Sequence, residues 1–343
     1  MKQLLGRAFF LLTIALLSCS KKSAPINDIQ PPKDLTLSAI VSTNGTGSVQ
    51  FTASATNATT YEYAFGDGQY QLVSSGVVTY QYAATGNYTV TVTAKNSIGQ
   101  SISQSTQVSV TKTPQLIWSD EFETAGAPNT NKWGYDIGTG SGGWGNNELQ
   151  YYTNRLTNAV VSNGTLQINA LKETYSGSAY TSARLLTKDK FSFKYGKVEV
   201  RAKLPAGVGT WPAIWMLGSN IGTAGWPACG EIDIMEHRGS ELNKIFSTVH
   251  YPGHSGGGGV GSTLTIADAS TAFHVYSTEW SATSIKFYVD NQLIFTFPND
   301  NTLPFNQNFF IILNVAMGGT FGGAVDPAFS NGSMEIDYVR VYN

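Results

Sequence analysis

Apolar and polar residues alternate over many short stretches of the chain, and such alternation indicates half-buried β-strands. In NYTVTVTAKN, residues 87–96, threonines occupy every second position on one face. The opposite face carries Tyr88, Val90, Val92 and Ala94. The pattern recurs in KVEVRAK, IKFYVDNQLIFTF and MEIDYVRVY, whereas long Lys/Glu-rich helical patterns are absent from the sequence. We therefore predict an all-β protein.

Turn signals and aromatic content divide the chain into two predicted domains. Over residues 34–112, short strands separated by turns such as FGDG predict a small β-sandwich. All seven tryptophans and all four histidines come later, beyond the segment TKTPQ. Residues 113–343 therefore form the second predicted domain, a large antiparallel sandwich or barrel that holds the chemistry. Within it, VDNQLI predicts a hairpin centred on Asp290 and Asn291.

The N-terminal residues have the composition of an export signal. Lys2 and Arg7 precede the apolar stretch AFFLLTIALL, which is too short to span a bilayer. This stretch runs into LLSC, which resembles the bacterial lipobox. We therefore predict a lipoprotein signal peptide over residues 1–19 with Cys19 lipidated; the alternative is an ordinary secretory signal with a chance cysteine. Residues 20–33, polar and containing three prolines, predict a linker.

The charge balance and the cysteine content limit the choice of partners. The formal net charge is −2 and 13% of residues are charged, which does not favour a nucleic-acid partner. A lipid on Cys19 would instead attach the protein to a membrane, and we expect an exported monomer anchored at the outer membrane or cell surface of a bacterial envelope. The second cysteine, Cys229, then lacks a disulfide partner, and we predict a buried thiol.

Three carboxylates are crowded into the predicted strand GEIDIMEHRG, residues 230–239. Side chains two apart share a strand face, so Glu231 and Asp233 point the same way. Glu236 joins them only if a β-bulge near Ile234–Met235 restores the register. The spacing therefore predicts a local irregularity as well as an acidic cluster.

Crowded carboxylates repel each other and share protons near neutral pH. One ionised group beside one protonated group is what glycoside hydrolysis requires. A calcium-binding acidic strand and a surface charge ladder are the alternatives. Calcium ligands usually come from loops, and the flanking Ile and Met residues argue against a fully solvated strand.

The same stretch resembles the signature of glycoside hydrolase family 16, in the laminarinase-like branch that carries a one-residue insertion. LIWSDEF, GWGNNELQYYT, YGKVEVRAKLP, GTWPAIWMLG, STVHY and NVAMGG also fit, and in the expected order. The resemblance implies a β-jelly-roll (concanavalin-like) sandwich with a cleft on its concave face. It also implies a retaining mechanism without a catalytic cofactor. In that mechanism Glu231 is the nucleophile, Glu236 the general acid/base, and Asp233 tunes the nucleophile.

The resemblance further implies residues that contact substrate. Tryptophan offers a flat apolar surface to sugar rings, with core packing as the alternative for each residue. His250 is expected near the acid/base residue. The expected substrate-binding residues are Trp211, Trp215, Trp226, His250, Asn147, Glu148 and Arg184. A structural calcium ion on the convex face would involve Glu121 and Asp337.

The N-terminal domain resembles the PKD (polycystic-kidney-disease) domain, an immunoglobulin-like sandwich. The resemblance rests on YAFGDG followed by YQYAATGNYTVTVTAKN. The family usually has tryptophan where Tyr63 stands. A spacer is the expected role, and weak polysaccharide binding is the alternative.

These observations predict an endo-acting retaining hydrolase of β-1,3-glucan, of the laminarin type and extending to mixed-linkage glucan. A family 16 hydrolase of another polysaccharide, such as a galactan, is one alternative. A lipid-anchored protein that binds glucan without cutting it is another. A transglycosylase would use the same glycosyl-enzyme intermediate and differ only in the acceptor.

Overall fold

The computed structural model describes residues 29–343, which form two compact units divided between Thr113 and Pro114. The predicted boundary lies one residue earlier. The predicted signal peptide, the lipidation site Cys19 and most of the linker lie outside the described residues, so export and lipid anchoring stay predictions. No helix within residues 29–343 has the length and apolar character required to cross a membrane.

The first unit is a sandwich of two antiparallel sheets. One sheet has the strand order β1-β2-β5 and the other β4-β3-β6-β7. The alternation predicted for residues 87–96 is confirmed, because Val90, Val92 and Ala94 are fully buried in the core of this unit. Tyr63 is also fully buried, and its hydroxyl donates to the Gly76 carbonyl over 2.6 Å. The strands are β1 (Lys33–Val41), β2 (Ser48–Thr56), β3 (Thr60–Ala64), β4 (Tyr70–Val73), β5 (Val77–Gln81), β6 (Gly86–Lys95) and β7 (Ser101–Val110).

The second unit contains sheets with more strands than those of the first, together with a few short helical segments. Its strands are β8 (Leu116–Asp120), β9 (Gly134–Asp136), β10 (Gln150–Tyr152), β11 (Ala159–Ser162), β12 (Thr165–Tyr175), β13 (Ser178–Ser182), β14 (Arg184–Leu186), β15 (Gly196–Lys203), β16 (Thr210–Gly218), β17 (Glu231–His237), β18 (Lys244–His250), β19 (Val260–Thr265), β20 (His274–Trp280), β21 (Ser284–Val289), β22 (Gln292–Pro298), β23 (Phe309–Met317) and β24 (Asn331–Tyr342). The helical segments are a π-turn (Gly143–Asn147), a 3-10 turn (Gly256–Gly258), α1 (Ile221–Ala224) and α2 (Gly319–Gly322).

Two sheets form this unit. A ten-stranded sheet follows the order β10-β13-β12-β24-β15-β20-β21-β22, with β11 paired to β12 and β8 to β24. A seven-stranded sheet follows β19-β18-β17-β16-β23-β14-β9. Val198 and Val200 of the first sheet join Ile232 and Ile234 of the second in one core cluster, all fully buried. This core packs against one face of the seven-stranded sheet. The side chains of β17 on the opposite face therefore project from a closely packed, rigid backbone.

The predicted hairpin at Asp290 and Asn291 is confirmed. Val289 pairs with Gln292 across the two-residue turn, and both turn residues are left-handed, with φ of 47° and 68°. These angles are typical of a type I′ turn, whose twist matches that of the flanking strands. Cys229 is fully buried, as predicted for a structural thiol.

Candidate active site

A β-bulge in β17 brings the three carboxylates to one face. Asp233 pairs with Thr248 of β18, but the next pair is Glu236 with Phe246, so one extra residue is accommodated between them. The Ile234 carbonyl accepts a 2.8 Å hydrogen bond from the Ser247 hydroxyl. The bulge predicted from the spacing of the acidic residues is therefore confirmed.

Each carboxylate has its own hydrogen-bonding environment. The Trp226 indole nitrogen donates to Glu231 Oε2 over 2.9 Å, and the Trp211 indole nitrogen donates to Glu236 Oε1 over 3.0 Å. Asp233 lies between them and is only 3% exposed. The acids at the two ends of the cluster are thus oriented by different tryptophans, so they are chemically distinct.

His250 lies across the ladder from Glu231. Its Nε2 is 3.2 Å from Asp233 Oδ2 and 3.8 Å from Glu231 Oε1. One side-chain oxygen of Glu231, one of Asp233 and one ring nitrogen of His250 all lie within 4.8 Å of one another. The family resemblance implies a histidine near Glu236. The antiparallel register places the ring directly against Asp233 and Glu231, and from there it also acts electrostatically on Glu236.

Burial raises the pKa of all three carboxyl groups, and repulsion by neighbouring carboxylates adds to this shift for Glu231 and Asp233. For Glu231, burial is the main cause and the Asp233 charge adds to it, while His250 opposes the shift. Burial likewise raises the pKa of Asp233 well above its usual range, with a further contribution from Glu236. Burial also raises the pKa of Glu236, against the hydrogen bond from Trp211. The cluster therefore holds protons more tightly than solvated acids do, and it can keep a protonated acid beside an ionised one.

A buried polar network extends from this cluster across β23. The Trp215 indole nitrogen donates to Asn314 Oδ1 over 2.8 Å, and Asn314 Nδ2 donates to the Tyr152 hydroxyl over 3.1 Å. Tyr152 in turn donates to Glu148 Oε2 over 3.2 Å, and Gln150 Nε2 donates to the same oxygen over 2.6 Å. Glu148, expected to contact sugar, is thus already bound to internal donors.

Sequence reasoning did not find Tyr152, Gln150 or Asn314. A signal existed for Asn314, because it is the single polar residue in FFIILNVAM, the fully buried strand β23. A buried polar side chain in such a strand requires a partner, and this requirement points to a network. Asn147 is exposed in a left-handed conformation beside the network, and its contact with sugar stays a prediction.

Arg184 on β14 lies between two indole rings, that of Trp215 on β16 of the same sheet and that of Trp144 in the π-turn. Its guanidinium carbon is 4.7 Å from the Trp144 ring centre and 4.8 Å from that of Trp215. Its Nε is 3.0 Å from Asp136 Oδ2, which holds the side chain in place. Trp144, not anticipated from the sequence, therefore belongs to the surroundings of the site.

The expected calcium ligands are held by arginines. Glu121 accepts two hydrogen bonds from Arg340, of 3.0 and 2.8 Å, and Asp337 accepts one of 2.6 Å from Arg201. A cation would have to displace both guanidinium groups to reach these carboxylates. The two residues, as arranged here, do not fit the expected calcium site.

Comparison with known proteins identifies relatives of both units. The family model described as Glycosyl hydrolases family 16 matches residues 145–340, and that of the PKD domain matches residues 22–112. A beta-glucanase of Rhodothermus marinus is 47% identical over an alignment of 244 residues, and the match covers 66% of this chain and 85% of the relative.

Solved structures show the same fold. The catalytic domain of an endo-1,3-beta-glucanase (laminarinase) from Thermotoga petrophila RKU-1 is 45% identical with a TM-score of 0.65, over 67% of this chain and 98% of that one. LamA from Z. galactanivorans, in complex with laminaritriose and laminaritetraose, is 45% identical with a TM-score of 0.63, over 67% and 99%. The predicted all-β architecture, a PKD domain followed by a jelly roll, is confirmed.

Proposed function

Since the chain belongs to glycosyl hydrolases family 16, we propose that it is an endo-acting, retaining hydrolase of β-1,3-glucan of the laminarin type. The observation that carries the proposal is the bulged strand β17, which gathers Glu231, Asp233 and Glu236 on one face. The relatives support the substrate class, because they include a beta-glucanase and a laminarinase.

The chemistry proceeds in two displacements. In the first, the ionised Glu231 carboxylate attacks the anomeric carbon while Glu236 gives its proton to the departing glycosidic oxygen, which leaves a glycosyl-enzyme ester. In the second, Glu236 takes a proton from water as the water oxygen bonds to the anomeric carbon, and Glu231 departs as a carboxylate. The product keeps the β configuration because the carbon is inverted twice.

The neighbours of each acid suit these roles. Burial and the Asp233 charge raise the pKa of Glu231 well above its usual range, and His250 and the hydrogen bond from Trp226 oppose that shift by stabilising the ionised form that attacks. Asp233 and His250 lie beside the nucleophile, each with a polar side-chain atom within 4.8 Å of its carboxylate. Trp226 is 48% exposed, so its ring is available as a flat apolar surface for a sugar.

Product analysis tests the substrate class. The purified chain should be incubated with laminarin, lichenan, agarose and κ-carrageenan, and the products separated by size. We expect short β-1,3-linked oligosaccharides from laminarin early in the reaction, as endo-cleavage requires. Cleavage of a galactan alone would overturn the glucan assignment, and glucan binding without cleavage would favour a binding protein.

Gly259 provides a steric test of the position of His250. A Cβ at residue 259 would lie 2.4 Å from Cε1 and 2.7 Å from Nδ1 of the imidazole, so Gly259→Ala must displace the ring or the loop. We expect kcat on laminarin to fall roughly 10-fold, because small misplacements of groups in the site are costly.

Gly258→Ala is the matched control, since a Cβ there has nothing within 4 Å. It should leave kcat unchanged. Equal kcat values for both variants and the unaltered protein would show that the position of His250 does not matter to the reaction.

A further inference from the structure

Arg238 lies just beyond β17, two positions after Glu236. Its guanidinium carbon is 4.7 Å from the ring centre of Phe246 and 4.8 Å from that of Phe321. The two rings meet edge to face at 5.1 Å. Arg238 also forms an ion pair with Glu241. The cation is thereby held between two aromatic rings, an arrangement in which ring faces stabilise the positive charge.

The two rings connect Arg238 to the carboxylate of Glu236. Phe321 packs against Trp211 with ring centres 5.1 Å apart, and Trp211 is the indole that donates to Glu236. Phe246 is the ladder partner of Glu236 on β18. Displacing Arg238 would therefore loosen the two aromatic side chains next to Glu236: Phe246 directly, and Trp211 through Phe321.

Arg238 also carries a permanent positive charge, two residues after Glu236 in the same segment of the chain. The neighbouring strand β16 contributes Trp211, Ala213 and Trp215 at this level, none of which is ionisable. The ionisable groups on the face of Glu236 are Glu231 and Asp233 on β17, His250 and Lys244 on β18, and Arg238 with its partner Glu241. His237, the next residue of β17, is buried, with its Nε2 2.9 Å from the Leu242 carbonyl oxygen. The Lys244 charge is directed to Glu241, with Nζ 3.1 Å from Oε1.

We propose that Arg238 is a positioning residue for the acid/base Glu236: through Phe246 and Phe321 it fixes Trp211, and it places a lasting positive charge beside the carboxyl group. The inference rests on the proposed function. Burial alone would make Glu236 hold its proton too tightly to release it to the leaving oxygen. The hydrogen bond from Trp211 opposes that effect first, followed by His250 and Arg238, and all three lower the pKa of Glu236.

The pH dependence of kcat/KM on laminarin tests this role. Glu236 must be protonated in the first displacement, so activity falls at alkaline pH as it ionises. Arg238→Met removes the charge but keeps the length of the side chain. Without that charge the pKa of Glu236 rises, so the alkaline limb of the pH profile should move to higher pH. We also expect kcat at the optimum to fall roughly 10-fold, with a smaller change in KM, because Trp211 and Glu236 lose their fixed position.

Two further variants separate this role from a general loss of structure. Arg238→Lys keeps the charge and loses the flat guanidinium, so its alkaline limb should stay near that of the unaltered protein while kcat recovers only in part. Arg201→Met is the matched control, because Arg201 is likewise stacked on a phenylalanine, Phe273 at 4.7 Å, but on the other sheet. Its profile should not change.

An unshifted alkaline limb in Arg238→Met, with folding confirmed by its thermal unfolding temperature, would overturn the inference. An equal shift in Arg201→Met would do the same, since it would show that any lost arginine charge moves the profile. Failure of the unaltered protein to cleave any glucan would instead contradict the proposed function.

Discussion

Glu231→Gln will eliminate glucan hydrolysis, lowering kcat by about 10,000-fold or more, as expected when the nucleophile of a covalent mechanism is lost. The amide has the size of the carboxylate and can still accept the hydrogen bond from Trp226, but it cannot form the glycosyl ester. Initial rates of reducing-end formation from laminarin measure the effect. Glu335→Gln is the control, since Glu335 is ion-paired with Lys203 on the other sheet, Nζ and Oε1 being 2.9 Å apart.

Glu231→Gly makes the same prediction more specific. Removing the side chain opens space for azide beside the anomeric carbon, on the face that the carboxylate attacked. Azide then bonds to the carbon as the glycosidic oxygen leaves with the proton of Glu236, and the single inversion gives an α-glycosyl azide. Activity that remains near the original level in Glu231→Gln, or an absence of α-azide from Glu231→Gly, would show that another group is the nucleophile.

The acidic strand shows how far sequence alone can lead. The spacing of the three acids predicted the bulge because side chains in a strand alternate between its two faces. Glu236 follows Asp233 by three residues, so it can share the face of Asp233 only if one residue between them is bulged out. Ile234 and Met235 are both fully buried behind the site, as a bulge at that point allows. The hairpin at Asp290 and Asn291 was predictable for the same reason, since its turn chemistry is contained in a few neighbouring residues.

Contacts between distant strands were not predictable in this way. His250 faces Glu231 because β17 and β18 pair in one particular register, and the bulge shifts that register. Tyr152 meets Asn314 only because β10 and β23 are brought together in the fold. Glu121 and Asp337 bind arginines that lie on other strands, and the resemblance contained no information about those arginines.

Local sequence therefore determines which side chains share a face, whereas pairing across the sheet determines which of them touch. The chemistry depends on both. The proposed nucleophile and acid/base come from one short strand, but the hydrogen bonds that orient them come from tryptophans on other segments. This division explains why the three acids could be placed on one face in advance, whereas the hydrogen bonds that Trp211 and Trp226 donate to them could not.

Glu236→Gln should separate the two steps of the reaction and identify the acid/base residue. On laminarin, whose leaving oxygen needs a proton, we expect a loss of about 100- to 10,000-fold, the usual contribution of general acid catalysis. A β-1,3-linked gluco-oligosaccharide with a dinitrophenyl leaving group needs no such proton. Its first step should stay fast, and a burst of dinitrophenolate should precede slow turnover because water lacks its general base.

Azide gives the opposite stereochemical result in this variant. Glu231 is still present and forms the glycosyl-enzyme, and azide, which needs no general base, then displaces Glu231 from the anomeric carbon. Two inversions yield a β-glycosyl azide, in contrast to the α-azide from Glu231→Gly. Nuclear magnetic resonance of the two products distinguishes the anomers. An α-azide from Glu236→Gln and a β-azide from Glu231→Gly would reverse the two assignments, because the configuration of each product records which carboxylate was bonded to the sugar.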